Sequence, residues 1–282
     1  MSKVAIVTDS SPNIPEHIIE EQKIHVVPLT VIWDEETFYD GVDITPEQFY
    51  DRLKTAKVMP STSQPSVADF EALFRSLHNE GYEILAVLIS EDLSGTISSA
   101  TQAKKLLPDA TIEIVNSKTL AMALGFHVLA AAKAANQGAS LAECKRIAED
   151  CRERSGVIFV LDTLEFLHRG GRIGASKRFM GSLLNVKPIL AIEDGLIIPL
   201  DSVRTQKKAL ETIVDLIVEK VSGHKTIRLA TLHANNPDTA QFILDEASKR
   251  VSPQEKIFSE LSPTIGTHAG PGAVGLAYLV ED

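Results

Sequence analysis

The stretch YEILAVLISEDLSGTISSATQAKKLL, residues 82–107, consists of an apolar run, a glycine-containing loop and a segment of helical composition. A short apolar run bounded by turn residues is typical of a strand buried on both faces of a parallel sheet. The loop reads Leu93-Ser94-Gly95-Thr96 and leads directly into the helical segment. Because the first turn of a helix has free N–H groups and the positive end of the helix dipole, this order predicts a site for a negatively charged group.

The same alternation of strand and helix continues on both sides of this stretch. On the N-terminal side, residues 3–11 (KVAIVTDSS) read as a buried strand, and residues 24–33 (IHVVPLTVIW) read as a further strand. On the C-terminal side, residues 110–117 (ATIEIVNS) read as a strand and residues 119–138 as a long alanine-rich helix. Repeated alternation predicts an α/β domain built on a parallel sheet.

A second unit is predicted to begin near Ser155-Gly156, with a strand followed by a strand pair that turns at Asp194-Gly195. A chain of 282 residues is expected to form about two domains. We therefore predict a two-domain α/β protein. Its N-terminal parallel-sheet domain spans residues 1–155, and its C-terminal α/β domain, with a mixed sheet, spans residues 156–282.

Composition argues against several classes of protein. The net charge is −10 and the pI is about 5.3, the wrong sign for a general nucleic-acid or anionic-membrane surface. The apolar run at residues 182–200 is interrupted by Lys187, Pro188, Glu193 and Asp194, so no integral membrane span is expected. With only Cys144 and Cys151 and no signal-peptide core, the sequence favours a cytoplasmic location.

The sequence also lacks the common nucleotide and metal motifs. It contains neither a G-x-x-x-x-G-K-[ST] phosphate loop nor a G-x-G-x-x-G dinucleotide motif. Its histidines do not have the spacing of metal ligands. We therefore expect no cofactor and no metal.

Three loops carry candidate binding residues. The first, PSTSQPS (residues 60–66), contains four hydroxyl side chains just before a helix. N-capping accounts for Ser66 but leaves Thr62 and Ser63 without a structural role. The second is the loop around Ser94, where a hydrogen-bond donor is favoured over a nucleophile because the G-x-S-x-G pattern of hydrolases is absent.

The third loop, GTHAGPGAVG (residues 266–275), places His268 among glycines. Two interpretations remain open at this point. The loop is either a structural turn that happens to contain a histidine, or a segment whose glycines let the backbone approach a ligand that His268 contacts.

Seven segments, in order along the chain, resemble the motifs of the DegV family of bacterial lipid-binding proteins. They are VTDSS (7–11), PSTSQPS (60–66), ISEDLSGTISSA (89–100), LDTLEFLHRGGRIG (161–174), LLNVKPIL (183–190), DGLIIPLDSVRT (194–205) and THAGPGAVG (267–275). Each motif is weak alone, but seven in order are specific. The resemblance extends over residues 3–281 as one DegV-type unit.

The resemblance implies that the chain binds a single long-chain fatty acid, from tetradecanoate to octadecanoate and typically hexadecanoate, in a tunnel near the domain interface. It implies that Thr62, Ser94 and His268 hold the carboxylate, with Ser63, Gly95, Thr96 and Arg204 nearby. It further implies a non-enzymatic role as the binding subunit of a fatty acid kinase that supplies phospholipid synthesis. A separate ATP-dependent kinase chain would phosphorylate the bound carboxylate to an acyl-phosphate.

Two apolar segments are candidates for the tunnel wall, because small residues in them leave room for an acyl chain. The candidate lining residues are Met122, Phe126, Phe179, Met180 and Leu184. Ordinary helix packing remains the favoured interpretation of each of these segments.

Two other functions remain possible from the sequence. One is a serine-dependent acyl hydrolase in which Ser94 and His268 form the reactive pair. The other is a lipid-responsive interaction module that has no kinase partner.

Overall fold

A computed structural model describes residues 3–174 and 186–282 of the chain. Its strands are β1 (Lys3–Asp9), β2 (His25–Val27), β3 (Thr30–Trp33), β4 (Glu36–Tyr39), β5 (Ser61–Ser63), β6 (Tyr82–Leu88), β7 (Ile112–Asn116), β8 (Ser155–Val160), β9 (Lys187–Glu193), β10 (Leu196–Val203), β11 (Thr226–His233), β12 (Glu255–Ile257) and β13 (Val274–Glu281). Its α-helices are α1 (Glu16–Gln22), α2 (Pro46–Leu53), α3 (Val67–Asn79), α4 (Thr96–Lys105), α5 (Ala121–Asn136), α6 (Leu141–Asp150), α7 (Glu165–Arg169), α8 (Gln206–Val221), α9 (Pro237–Val251) and α10 (Pro263–Ala269).

Two main sheets organise the molecule. The N-terminal sheet has the order β2-β1-β6-β7, and all its strands are parallel. The C-terminal sheet has the order β10-β9-β8-β13-β11-β12 and is mixed, since β11 and β12 are parallel and its other neighbours are antiparallel. The predicted α/β class, with one parallel and one mixed sheet, is confirmed.

Helices cover both sheets and also separate them. Helices α3 and α4 pack on the N-terminal sheet, while α8 and α9 pack on the C-terminal sheet. Helix α5 contacts strands of both sheets and is buried around its whole circumference. Its apolar composition explains this position, because a helix that is hydrophobic on every face is stable only when it is enclosed.

A third, smaller sheet was not predicted. The segment predicted as one strand, residues 24–33, is divided at Pro28: β2 joins the N-terminal sheet, and β3 pairs with β4 and β5. Proline has no N–H to donate to a ladder, which explains the break. Strand β5 carries Thr62, so this small sheet positions one of the candidate binding residues.

The main sheets use separate parts of the sequence. Every strand of the N-terminal sheet ends by Asn116, and every strand of the C-terminal sheet begins at Ser155 or later. A boundary at residues 155/156 remains a prediction, because α5 belongs to the core shared by the two sheets.

Candidate functional site

An apolar cavity lies between the two main sheets, beside the N-terminal end of α5. It encloses about 790 Å³, including the part open to solvent. Most of its wall is aliphatic or aromatic, including Leu29, Ile89, Leu93, Leu120, Val157, Phe159, Leu167, Ile197, Leu232, Leu261 and Ile265. Its polar lining comes from Thr62, Ser63, Gln64, Ser94, Arg172, Thr264 and His268.

Thr62 and His268 are in direct contact at this cavity. The Thr62 Oγ1 and His268 Nε2 atoms lie 2.7 Å apart, and either can donate the hydrogen bond. Thr62 is fixed on β5 by its pairing with Val31 of β3. His268 lies in the last turn of the short helix α10, not in a loop, which corrects the sequence interpretation.

The glycine that contacts the His268 ring is Gly170, which lies in a different segment of the chain. The Nδ1 atom of His268 lies so close to Gly170 that a Cβ at position 170 would overlap it. Within the described part of the chain, this buried Nδ1 has no hydrogen-bond partner. Burial lowers the pKa of His268 to about 4, and the positive charge of Arg172 adds to the effect. The imidazole is therefore neutral at physiological pH.

Ser94 is at the start of α4, as the strand–loop–helix pattern predicted. Its Oγ lies 2.8 Å from Thr96 Oγ1, and its N–H donates to the carbonyl of Ser90. Gly95 is the N-cap residue and provides no side-chain cap. Ser94 and Ser63 line the cavity; Gly95 and Thr96 do not, although Thr96 contacts Ser94.

The pairing of these side chains bears on the hydrolase alternative. A nucleophilic serine requires a histidine within hydrogen-bond reach as its base. In this structure Ser94 is paired with Thr96, while His268 Nε2 is paired with Thr62. These hydrogen bonds do not include the one between Ser94 and His268 that a serine hydrolase needs.

Among the residues that the structure describes, the cation that lines the cavity is Arg172, which sequence reasoning missed, and not Arg204. Arg204 is exposed after β10 and does not line the cavity. The Arg172 Nε donates to the Leu93 carbonyl at 3.1 Å, and Nη1 donates to the Gly170 carbonyl at 2.6 Å. The available signal was its position at the end of the HRGGR segment, residues 168–172.

The residues predicted to line a tunnel are only partly described. Met122 and Phe126 are fully buried on α5, but they pack in the core and do not line the cavity. The reason is that α5 faces both sheets, so most of its side chains fill the space between helix and strands. Phe179, Met180 and Leu184 lie outside the described residues.

A buried carboxyl group holds the helix that carries His268. Asp40 accepts the Thr264 N–H at 3.0 Å and the Ser10 hydroxyl at 2.6 Å. The N-cap residue of α10, Ser262, makes no capping hydrogen bond, so Asp40 satisfies this helix start from another part of the chain. Burial raises the pKa of Asp40, and the Ser10 hydroxyl is the first of several donors that oppose the rise.

In residues 3–174 and 186–282 no helix combines the length and the apolar character that crossing a bilayer requires. Nor do His, Cys, Asp and Glu side chains there form a group able to hold a metal ion.

Comparison with known proteins identifies the family. The sequence model of the DegV family, described as an uncharacterised protein family, matches residues 3–281. Protein DegV of Bacillus subtilis is 35% identical over 277 residues, covering 98% of both chains. A DegV domain-containing protein of Halalkalibacterium halodurans is 36% identical over 282 residues, the full length of both. The chain belongs to the DegV family.

Solved structures show the same fold. A DegV family protein from Thermus thermophilus, described with fatty acid binding, superimposes with a TM-score of 0.94 at 32% identity, covering 99% of this chain and 100% of the other. DegV from Bacillus subtilis, described as a fatty acid binding protein, superimposes with a TM-score of 0.90 at 33% identity and full coverage of both chains.

Proposed function

We propose that this protein binds one long-chain fatty acid in the cavity between its sheets and presents the carboxylate to a separate ATP-dependent kinase. The observation that carries the proposal is the composition of the cavity wall. Thr62, Ser94, Arg172 and His268 belong to the polar part of the cavity lining, and the rest of the wall is formed by aliphatic and aromatic side chains. A single-chain amphiphile with a small charged head matches that division. The fatty acids described for the Thermus and Bacillus relatives support the choice of ligand.

The head group would be held mainly by neutral donors. The hydroxyls of Thr62 and Ser94 can each donate to a carboxylate oxygen after rotation, and the neutral imidazole of His268 can donate one further hydrogen bond. Arg172 is already committed to two backbone carbonyls, so its charge acts from the cavity wall. Such a site orients a carboxylate without enclosing it in a tight ion pair, which suits a group that must still react.

What the sequence lacks supports presentation to a partner chain. The full sequence contains no phosphate-loop motif, so the nucleotide would be supplied by another polypeptide. Transfer would form a bond between a carboxylate oxygen and the γ-phosphorus of ATP, with ADP as the leaving group. The DegV-family resemblance supports this role.

Extraction of the purified protein under denaturing conditions, followed by mass spectrometry, tests the first half of the proposal. We expect a stoichiometric long-chain fatty acid in the extract, or saturable binding when one is added. Ser94→Ala and Thr62→Ala should each weaken binding about tenfold or more, because a hydrogen bond to a charged group contributes about 1.5–3 kcal/mol. Ser98→Ala is the matched control, since Ser98 is exposed one helical turn beyond Ser94. Failure of every fatty acid to bind would refute the proposal.

The second half is tested by adding a candidate kinase chain and ATP to the lipid-loaded protein. We expect ATP consumption and an acyl-phosphate that hydroxylamine traps as the hydroxamate. His268→Ala should lower phosphoryl transfer more than fatty acid affinity, because a donor beside the reacting group stabilises charge as it develops. If His268→Ala lowers phosphoryl transfer and fatty acid affinity equally, His268 has no special role in transfer. Unchanged phosphoryl transfer in this variant would also contradict the role.

A further inference from the structure

A second cavity, here called the polar cleft, lies on the other side of Val157, which lines both cavities. Residues 117–119, the start of β8, the end of β9 and Tyr278 of β13 form its walls. It encloses about 1180 Å³, including the part open to solvent. Nothing in the proposed fatty acid site uses this space.

Two residues that line the polar cleft carry buried polar atoms without a hydrogen-bond partner in the described part of the chain. His127 is fully buried on α5, and its Nε2 lies 2.7 Å from Ser155 Oγ. Its Nδ1 has no hydrogen-bond partner among the residues that the structure describes, and neither has the buried hydroxyl of Thr119. The hydrogen bond from His127 Nε2 to Ser155 links α5 to β8 and so has a structural role. It gives no role to the Nδ1 atom. Because an unpaired buried polar group is costly, the cleft is expected to hold a group that pairs with them.

His127 is suited to binding and not to proton transfer. Burial lowers its pKa to about 3, and the charges of Arg152 and Arg154 contribute in the same direction. A neutral imidazole of this kind can donate through one nitrogen and accept through the other, whereas it is too weak a base to activate the Ser155 hydroxyl.

A tyrosine adds a further hydroxyl to the cleft. Tyr278 lies opposite Gly156 on the neighbouring strand, and a Cβ built at position 156 would be 2.7 Å from its hydroxyl oxygen. The missing side chain of Gly156 therefore lets the Tyr278 ring lie across β8. Together with Thr119 and Ser155, it gives the cleft hydroxyls that can both donate and accept, as hydroxyl groups of a ligand also do.

The charges at the cleft define the ligand further. Arg152 is the cation at the inner wall, fixed by the Asn116 carbonyl, which accepts from Nε at 2.9 Å and from Nη2 at 2.5 Å. Glu153, Glu193 and Asp194 are exposed at the rim. One negative charge can pair with the guanidinium, but a doubly charged anion is repelled by these carboxylates.

Two lysines also lie at the rim, but they do not offset the negative charge of its carboxylates. Lys118 is committed to Glu91 and Asp92, with its Nζ 3.4 Å from an oxygen of each, and Lys220 is exposed at the end of α8. Carboxylates therefore remain in excess around the opening.

We propose that the polar cleft binds a short carboxylate that also carries hydroxyl groups. Its carboxylate pairs with Arg152, and its hydroxyls contact His127, Thr119 and Tyr278. The site is separate from the fatty acid cavity, so it stands whether or not the proposed function is correct.

Isothermal titration of the purified protein with four probes tests the ligand class. Glycerate carries one carboxylate and two hydroxyls; propionate lacks the hydroxyls, glycerol lacks the charge, and glycerol 3-phosphate carries a second charge. We expect glycerate to bind about tenfold or more tightly than each of the other three, since each of them loses either charged or neutral hydrogen bonds or gains repulsion. If glycerate shows no binding, or if propionate or glycerol 3-phosphate equals it, the proposal is overturned.

Matched arginine variants test the location. Arg152→Gln should weaken glycerate binding about tenfold or more, whereas Arg154→Gln should leave it unchanged. Arg154 is the suitable control because its Nε also donates to a backbone carbonyl, that of Asp150 at 3.2 Å, and it does not line the cleft. Tyr278→Phe, which removes only a hydroxyl, should give a smaller loss. Equal effects of the two arginine variants in folded protein, checked by thermal unfolding, would place the ligand elsewhere.

Discussion

His268 is fixed on both sides of its ring. Its Nε2 is hydrogen-bonded to Thr62, while its Nδ1 faces the bare backbone of Gly170. These contacts leave the imidazole little freedom to rotate, and its low pKa keeps it neutral. The side chain is thus preorganised before any ligand arrives, which reduces the entropy that binding must overcome.

The low pKa of His268 predicts a pH dependence of stability. The pKa is about 4 in the folded protein and ~6.5 in an unfolded chain. Between these values the unfolded chain binds a proton that the folded protein does not, so the contribution to stability is full above pH ~6.5 and falls as the pH drops toward 4. At pH ~5 this loss is about 2 kcal/mol for one histidine. Urea unfolding at neutral and mildly acidic pH measures it.

The comparison requires variants, because other groups titrate as well. The raised pKa values of the buried Asp9 and Asp40 change stability with the opposite sign, since their folded forms bind protons more readily. His268→Gln should therefore show a smaller acid-induced loss than the wild type, by about 2 kcal/mol. His17→Gln, at an exposed position, is the control. Identical losses in wild type and His268→Gln would show that the imidazole is protonated in the folded protein.

Gly170 predicts a defect that is steric in origin. Gly170→Ala places a methyl group where His268 Nδ1 lies, so we expect the ring to move away from Thr62 and fatty acid affinity to fall about tenfold. The backbone of Gly170 has no positive φ, so strain does not explain such a loss. Gly171→Ala is the contrasting variant: its φ of 73° is strained for alanine, but no atom lies within 4 Å of the new Cβ. Gly171→Ala should lower the stability of the protein and leave fatty acid affinity unchanged. If Gly171→Ala lowers affinity and Gly170→Ala does not, the steric explanation is wrong.

Among the elements, α10 depends on tertiary contacts more than on its own sequence. Its residues, PTIGTHA, include a glycine and two threonines, which are weak helix formers. The helix forms because Pro263 occupies its first turn and Asp40 accepts the Thr264 N–H. This dependence explains why a sequence pattern rich in glycine indicated a loop at this position.

The Asp40 contact gives a prediction for the whole helix. Asp40→Ala should destabilise the protein by about 1–3 kcal/mol, since it leaves the Thr264 N–H and the Ser10 hydroxyl without their acceptor in a buried site. It should also weaken fatty acid binding, because His268 is at the other end of α10. Chemical unfolding and lipid titration measure the two effects.

Asp43→Ala is the control. Asp43 is exposed and accepts the Tyr39 N–H at 2.8 Å, so its loss should have little effect on stability or on fatty acid affinity. If Asp40→Ala binds fatty acid with unchanged affinity, the position of α10 does not determine binding at the site.

The elements that sequence predicted well are those with a clear periodicity. Ser66 caps α3 as its capping pattern indicated, and the turn at Asp194-Gly195 joins β9 to β10. Strand β5 was missed because Ser61–Ser63 has no apolar alternation, and its pairing with β3 depends on a distant segment. Arg172 was missed for a similar reason, since its place at the cavity arises from tertiary contacts with Leu93 and Gly170 and not from a local pattern.

At the scale of the whole molecule, the two sheets share one core. The largest cluster of buried side chains includes residues from the N-terminal sheet, α5 and the C-terminal sheet. Neither sheet can lose its partner without exposing α5 to water. We therefore expect the chain to unfold as one cooperative unit even though its sheets use separate parts of the sequence.

Unfolding by urea tests this cooperativity with two probes. Trp33 is the single tryptophan and is buried in the small sheet, so its fluorescence reports on the N-terminal part, while far-UV circular dichroism reports on all helices and strands. The two transitions should coincide. A fluorescence midpoint clearly separated from the dichroism midpoint would show that the halves unfold independently, in support of a true domain boundary near residue 155.

The position of β13 has a consequence for synthesis. This strand, Val274–Glu281, lies inside the C-terminal sheet between β8 and β11, both of which precede it in the chain. While the ribosome is still translating, β8 and β11 have no neighbour to pair with on their inner edges. The parallel N-terminal sheet can form early, but the C-terminal sheet closes only after its final strand has emerged, some seconds later at roughly 5–20 residues per second. During that interval the nascent chain exposes two unpaired apolar strand edges, which are the surfaces that chaperones protect.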